Sequence, residues 1–355
     1  MSTAPSGATP FDPTKPNVAA DRPRPGAGSL LARLVVIGVL LVGVIGGFAY
    51  FGGWLTPKEI TPGRFVDALE QVDGRHPGFR RNHAKGLGTS GHFDSNGNGV
   101  RLSKAEVFQA GRVPVIGRFS LSGGQPYAAD KPDTVRGLAL EFTPPNGEVW
   151  RTAMVNLPVF PVRTPEAFYE RIVASAPDPK TGAPDPAKMQ EFMTRHPEAA
   201  KALAIIKSEP PSNGFDSSTF YGLNAFRFIN AQGESVPVRW ILTPVRLVDA
   251  TTIAAAREDK NYLFNMLIGQ IHAGPLQWRL MIIVGHKDDP TNDASIPWPA
   301  DREQVDVGTL TLNRVQSDED SAATDLNFDP LVLPPGIEPS DDPLLSARSA
   351  VYSQS

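Results

Sequence analysis

His83 stands between the arginine pair Arg80-Arg81 and glycines at 86, 88 and 91 in the stretch FRRNHAKGLGTSGHF, residues 79–93. Imidazole can take and return a proton near neutral pH. A backbone rich in glycine lets a bulky molecule come close. Far along the chain, in PPGIEPSDDPLLSARSAVYSQS, Arg348 precedes Tyr352 by four residues, so a helix would place both on one face. A guanidinium beside a phenol favours the phenolate, a hard anionic ligand for ferric iron. Arg118-Phe119-Ser120 and Asn156-Leu157-Pro158-Val159-Phe160 supply further polar groups. Singly, each of these is commoner as a structural feature. Together they carry acid–base and metal chemistry.

Composition narrows the alternatives. The 355 residues, 41% hydrophobic and 20% charged, suffice for one large domain or two ordinary ones and for a core that buries a large ligand. A net charge of −4 gives no basic face for nucleic acid. The lack of cysteine excludes disulfides, zinc–thiolate sites, iron–sulfur clusters and a cysteine nucleophile. DSNGNGVRLSKAE (94–106) places Asp94, Asn96, Asn98 and Gly99 as in a calcium-binding loop, but its twelfth place is Ala105 and the acid, Glu106, comes one late. A polar turn followed by a capping box, Ser103 to Glu106, opening a short helix is the better expectation.

The elements that must position these groups follow from pattern. Residues 1–33 form a tail whose first 28 positions are too poor in large apolar groups to order. LVVIGVLLVGVIGGFAYFGGWL (34–55) is uncharged and long enough to span a bilayer. Lys15, Arg22, Arg24 and Arg33 before it outnumber Lys58 and Arg64 after it, which predicts a cytoplasmic N-terminus and a domain, 56–355, on the far side, periplasmic in a bacterium. Within that domain, segments at 115–123, 134–143, 149–160, 225–231, 236–245 and 278–285 have the short apolar or alternating character of strands. Pro-Pro-Asn-Gly at 144–147 and Asn-Ala-Gln-Gly at 230–233 supply hairpin turns. Capped helices are predicted from Thr164-Pro165, over 185–206 from Asp185-Pro186, and from Asp259. The expected fold class is α+β, an antiparallel β-barrel surrounded by helices and preceded by one transmembrane helix.

The whole set, in this order, resembles the haem catalase superfamily, and within it the small catalase-related peroxidases that consist of little more than the haem-binding core. FRRNHAKG resembles the distal histidine motif, GRFS the strand with a propionate arginine and a serine, NLPVFPVRTPEAF the segment over the haem, and VGTLTLNRV with PPGIEPSDDPLLSARSAVY the approach to the proximal tyrosine. The resemblance covers about residues 60–355. It implies a haem (iron protoporphyrin) cofactor with Tyr352 as the iron ligand and Arg348 holding its phenolate. It also implies His83 as distal acid–base and Ser120 as the group orienting it. Arg80 and Arg118 would pair with propionates, Gly137 would allow close approach to the ring, and Phe160 and Phe168 would pack around the haem.

This sequence departs from the family at one catalytic position. The Asn-Asn pair before the proline is here Val155-Asn156, so Asn156 remains the candidate for handling a second hydrogen peroxide. The end of the chain three residues after Tyr352 leads us to expect a reduced core, and a haem-binding or scaffold module that no longer fixes the iron is one alternative. The resulting expectation is a haem peroxidase that reduces organic hydroperoxides, and hydrogen peroxide, with an external electron donor, as part of the oxidative stress response. A membrane redox protein is one candidate donor, and a homo-oligomer is compatible with the resemblance. A true catalase that dismutates hydrogen peroxide and a donor-free rearrangement of fatty hydroperoxides are the alternatives.

Overall fold

The computed structural model describes residues 27–51, 60–178, 180–209, 212–246 and 259–353. It comprises two units, Met1–Glu59 and Ile60–Ser355. The described part of the first is helix α1 (Ala27–Phe51), in which Leu31–Tyr50 is apolar and long enough to cross a membrane. The helix begins seven residues before the predicted span, so residues 27–33, expected in the tail, are helical. The rest of the predicted tail, and residues 52–55 of the predicted span, lie outside the described residues.

The second unit is built on a closed antiparallel barrel. Its strands are β1 (Gly86–Ser95), β2 (Gly111–Leu121), β3 (Arg136–Phe142), β4 (Trp150–Val155), β5 (Phe220–Tyr221), β7 (Ser235–Pro244), β8 (Leu276–Val284) and β9 (Gln304–Gln316). They run in the order β7-β5-β4-β3-β2-β1-β9-β8, and pairing of β8 with β7 closes the ring of eight. Short strands β6 (Phe226–Ile229) and β10 (Ile337–Pro339) extend the sheet outward from β7. Alternation drives closure: Trp150, Thr152 and Met154 point inward while Arg151, Ala153 and Val155 are less buried. Phe93, Phe119, Phe142, Trp150, Trp240 and Trp278 fill the interior.

All the predicted strands form. Strands β5, β9 and β10 are additional to them, and β1 is the glycine-rich stretch itself. A side chain at Gly91 would lie 1.9 Å from the Thr311 carbonyl, at Gly88 1.8 Å from Ser321 Oγ, and at Gly86 2.5 Å from the Arg118 guanidinium. Close packing of β9 and of two side chains, rather than a macrocycle, therefore demands these glycines.

Helices α2 (Pro62–Asp73), α3 (Pro165–Ala174), α4 (Pro186–Arg195), α5 (Pro197–Ser208), α6 (Tyr262–Ala273) and α7 (Pro343–Tyr352) surround the barrel. Thr61, Thr164, Asp185 and Asp342 each accept a backbone N–H at a helix start, followed by proline at the first turn. The single helix predicted over 185–206 is two, because Pro197 cannot donate the hydrogen bond that would continue it past His196. The predicted capping box does not form either. Ser103 Oγ accepts from Ala105 N, Glu106 N donates to Glu148, and only a short 3-10 turn, Glu106–Phe108, follows. Helices α2, α3 and α7 meet through Phe65, Ile172, Phe168 and Val351. The cavity described next lies beside that junction.

Candidate functional site: a cavity between the barrel wall and the last helix

Nine of the ten residues singled out from sequence line one cavity: Arg80, His83, Arg118, Ser120, Gly137, Phe160, Phe168, Arg348 and Tyr352. The loop before β1 contributes Arg80 and His83, β2 and β3 contribute Arg118, Ser120 and Gly137, and α7 contributes Arg348 and Tyr352. Phe160 and Phe168 pack against each other with ring centroids 5.1 Å apart.

His83 is held at both ends. Its backbone lies in the left-handed region, φ 56°, which costs a residue with a side chain about 1–2 kcal/mol. Asn82 Oδ1 fixes this bend by accepting from His83 N and Gly123 N, each at 2.9 Å. The ring Nδ1 lies 3.0 Å from Ser120 Oγ. No hydrogen bond to Nε2 is formed among the described residues, which makes it the ring atom available to a molecule in the cavity. Gly137 serves this pair: a Cβ there would lie 2.7 Å from Ser120 Oγ and 3.2 Å from His83 Nδ1. Burial, then the charges of Arg118, Arg348 and Arg80, push the imidazole pKa down to about 4. The ring is thus neutral at physiological pH and able to accept a proton.

The arginines differ in how they are satisfied. Arg118 donates to both carboxylate oxygens of Asp318, at 2.8 and 2.6 Å, and to the carbonyls of His83 and Ala84. Arg80 Nη2 donates to the carbonyls of Ala323, Thr324 and Leu326, and the guanidinium lies over the Phe328 ring at 5.6 Å. Its Nε and Nη1 have no acceptor among the described residues. Burial, followed by the charge of Arg118, lowers the Arg80 pKa from its ordinary value. Arg348 Nη1 donates to Asn224 Oδ1 at 2.6 Å and Nη2 to the Ala153 carbonyl at 3.3 Å. Asn224 in turn donates to Asp342 Oδ2 at 2.8 Å, while Asp342 Oδ1 caps α7. Burial raises the Asp342 pKa. A buried line of polar groups therefore runs from the start of α7 to its arginine.

Asn156 is the residue that does not join the cavity. Its Oδ1 accepts from Arg136 N at 2.7 Å and its own N–H donates to Arg136 O at 3.0 Å, so the side chain clasps the end of β3. Val155 and Met154 line the cavity instead. Asn82, Asn224, Asp318 and Asp342 escaped the sequence reading. Asn82, adjacent to His83, and Asp342, an Asp-Pro helix start ten residues before Tyr352, carried a local signal. Asn224 and Asp318 carried none, because their partners are distant in sequence. Leu223, beside Asn224, has φ 60° and with His83 is one of two side-chain-bearing residues at positive φ among the described residues. Both line the cavity, and strain held at a site in this way is a mark of function.

The donor set fits a haem. Of Arg80, Arg118 and Arg348, only Arg118 has a carboxylate partner among the described residues. The cavity thus keeps positive charge for a dianionic ligand, with unused N–H groups on Arg80 to receive carboxylates. Tyr352 supplies the phenol oxygen, and Phe65, Phe160, Phe168, Leu223 and Val351 give apolar walls.

Comparison with known proteins agrees with this geometry. The family model described as Catalase matches residues 60–355. A catalase-related peroxidase of Synechococcus elongatus is 40% identical over 92% of this chain and 93% of its own length. One of Mycolicibacterium paratuberculosis is 31% identical over 83% of this chain and 94% of its own. Rat catalase is 29% identical, and the match spans 57% of that longer protein. Among solved structures, catalase A of Saccharomyces cerevisiae superposes with a TM-score of 0.69 at 22% identity, over 78% of this chain and 60% of that one. A fungal catalase gives 0.68 at 23% identity, over 79% and 58%.

Proposed function

Because this chain belongs to the catalase family, we propose that it is a haem peroxidase that reduces organic hydroperoxides, and hydrogen peroxide, with electrons from an external donor. The observation that carries this reading is His83, neutral and tied to Ser120 through Nδ1, in one cavity with Tyr352. Tyr352 would hold the haem iron, Arg80 and Arg118 its carboxylates, and the phenylalanines its faces and edges. Haem, when bound, supplies the redox chemistry that accompanies O–O cleavage.

The chain's own residues handle the proton. His83 Nε2 accepts it from the hydroperoxide OH, and the same atom returns it to the departing oxygen. Ser120 Oγ keeps the ring oriented and Nε2 toward the substrate. Arg348, fixed by Asn224 and Asp342, stands one helical turn before the phenol. Val155 and Phe160 exclude water from the cavity.

Peroxidase rather than dismutase turnover is favoured by one feature. Asn156 Oδ1 is committed to the Arg136 backbone and Val155 stands at the cavity wall where Asn156 does not, so no carboxamide from this segment lines the cavity to bind a second hydrogen peroxide. An alkyl group is accommodated there instead. The predominantly apolar span Leu31–Tyr50 of α1 acts as a membrane anchor in this reading, with the N-terminus cytoplasmic and the domain beyond the membrane. A donor in or at the membrane then becomes accessible.

The test is full-length protein reconstituted with haem in detergent and assayed with cumene hydroperoxide plus a reducing dye and, separately, for oxygen release from hydrogen peroxide. Dye oxidation that collapses in His83→Asn, with little oxygen release, is expected. Oxygen release as the dominant activity would replace this reading with the catalase one. Failure to take up haem would overturn both.

A further inference from the structure

The last helix is tied down at the residue that matters most. The final carbonyls of a helix have no N–H partner of their own. Tyr352 is the final residue of α7, and its backbone carbonyl receives a hydrogen bond from Asn327 Nδ2 at 2.8 Å. Two positions on, Asp329 Oδ2 accepts from Ser349 Oγ at 2.7 Å. Phe328, between them, lines the cavity. This three-residue strap is itself fixed to the barrel. Arg151 of β4 donates to the Asn327 carbonyl at 2.9 Å and to Glu141 of β3 at 2.6 Å, and its N–H reaches Val332 O at 3.0 Å.

The Asn327 side chain has a telling imbalance. Its Oδ1 is buried and finds no partner among the described residues. A buried orphan acceptor is a cost to stability. An apolar side chain of the same size would avoid it. What such a side chain could not do is donate to the Tyr352 carbonyl.

We propose that Asn327 is a positioning residue that caps the last turn of α7 from outside the helix and so fixes the Tyr352 phenol where it ligates the iron. The proposal rests on the reading of Tyr352 as the ligand. A helix end without this cap frays, and the phenol, on the last residue, moves with it.

The experiment uses three full-length proteins, the wild type, Asn327→Leu and Tyr352→Phe. Three properties are read: amide hydrogen exchange over 349–353 in the haem-free state, haem release to excess apomyoglobin, and the visible spectrum of the ferric protein. Asn327→Leu removes the orphan oxygen along with the donor, so a merely structural role predicts an unchanged spectrum. The positioning role predicts an unfolding midpoint at or above wild type, with exchange over 349–353 and haem release both faster by about tenfold, the factor one ordinary hydrogen bond supplies. It also predicts a shifted ferric spectrum. Wild-type exchange and release in Asn327→Leu, with haem lost from Tyr352→Phe, would overturn the proposal and leave the ligand reading standing. Wild-type release from Tyr352→Phe would remove the ligand reading, and the proposal with it. Should Asn327→Leu not fold, Asn327→Asp fills the same space without an N–H and is expected to show the same three changes.

Discussion

The His83 Nδ1 atom and the Ser120 Oγ lie 3.0 Å apart across the mouth of β2, and the missing side chain of Gly137 makes that distance possible. One backbone choice, a glycine on the neighbouring strand, thus sets the orientation of the His83 ring. Gly137→Ala should act as a catalytic mutation without touching substrate. With a methyl group forced against Ser120 and the imidazole, peroxide turnover is expected to fall at least as far as in Ser120→Ala. Circular dichroism should show an intact fold. Turnover in Gly137→Ala equal to wild type would count against this arrangement.

Loss of the ring itself is more severe. General acid–base catalysis contributes roughly 10²–10⁴-fold, and His83→Asn should lower kcat/KM for cumene hydroperoxide by a factor in that range. Haem content should be retained, because the proposed ligand, Tyr352, lies on a different element, α7.

The pH behaviour of His83 has a definite sign. Its folded pKa of about 4 lies below the ordinary 6.5. Between these values the unfolded chain binds more protons than the folded one, so stability rises with pH through this window and the contribution is complete above 6.5. NMR titration of the haem-free domain should place the His83 midpoint near 4. Denaturant unfolding should show stability falling as pH drops from 6.5 toward 4, and His83→Gln should flatten that slope.

Asn156 and Val155 have separable fates. Asn156→Ala leaves the buried Arg136 N–H without its acceptor and should cost about 1–3 kcal/mol of stability, read as a lowered urea midpoint, with little effect on oxygen release. Val155→Asn restores a carboxamide at the cavity wall. It is expected to raise oxygen release from hydrogen peroxide while lowering activity on bulky hydroperoxides.

Asn224 joins Arg348 to the cap of α7. Asn224→Ala should leave a buried guanidinium and the Asp342 carboxylate each short of a partner, and a shifted ferric spectrum is the expected sign that the phenol has felt it. Asn224→His, which can still accept and donate, should recover the spectrum in part.

Much of this was legible in the sequence because it was local. The prolines after Thr164 and Asp185 located two helix starts, and the alternation in Trp150–Val155 located a barrel strand. Arg348 and Tyr352 were four apart on a recognisable helix. What escaped was set by long-range geometry. The glycines of β1 read as clearance for a ligand, yet their neighbours are Arg118, Ser321 and Thr311, brought near by pairing of β1 with β2 and β9 and by the loop after β9. Asn156 looked catalytic by its place before proline, but its carbonyl was claimed by a strand partner twenty residues back. Asn327 and Asp318 gave no signal, since each serves a residue on a distant element.

His83, the proposed proton handler, precedes the first barrel strand, and Tyr352, the proposed iron ligand, ends the last helix 269 positions later. A molecule gripped between them is held by two segments far apart in sequence. It binds the native fold and has no comparable site on the unfolded chain, so its free energy of binding is added to that of folding. In the proposed reading haem is in this sense a clasp closing most of the domain's length, and the temperature at which the protein unfolds should rise with the concentration of haem supplied.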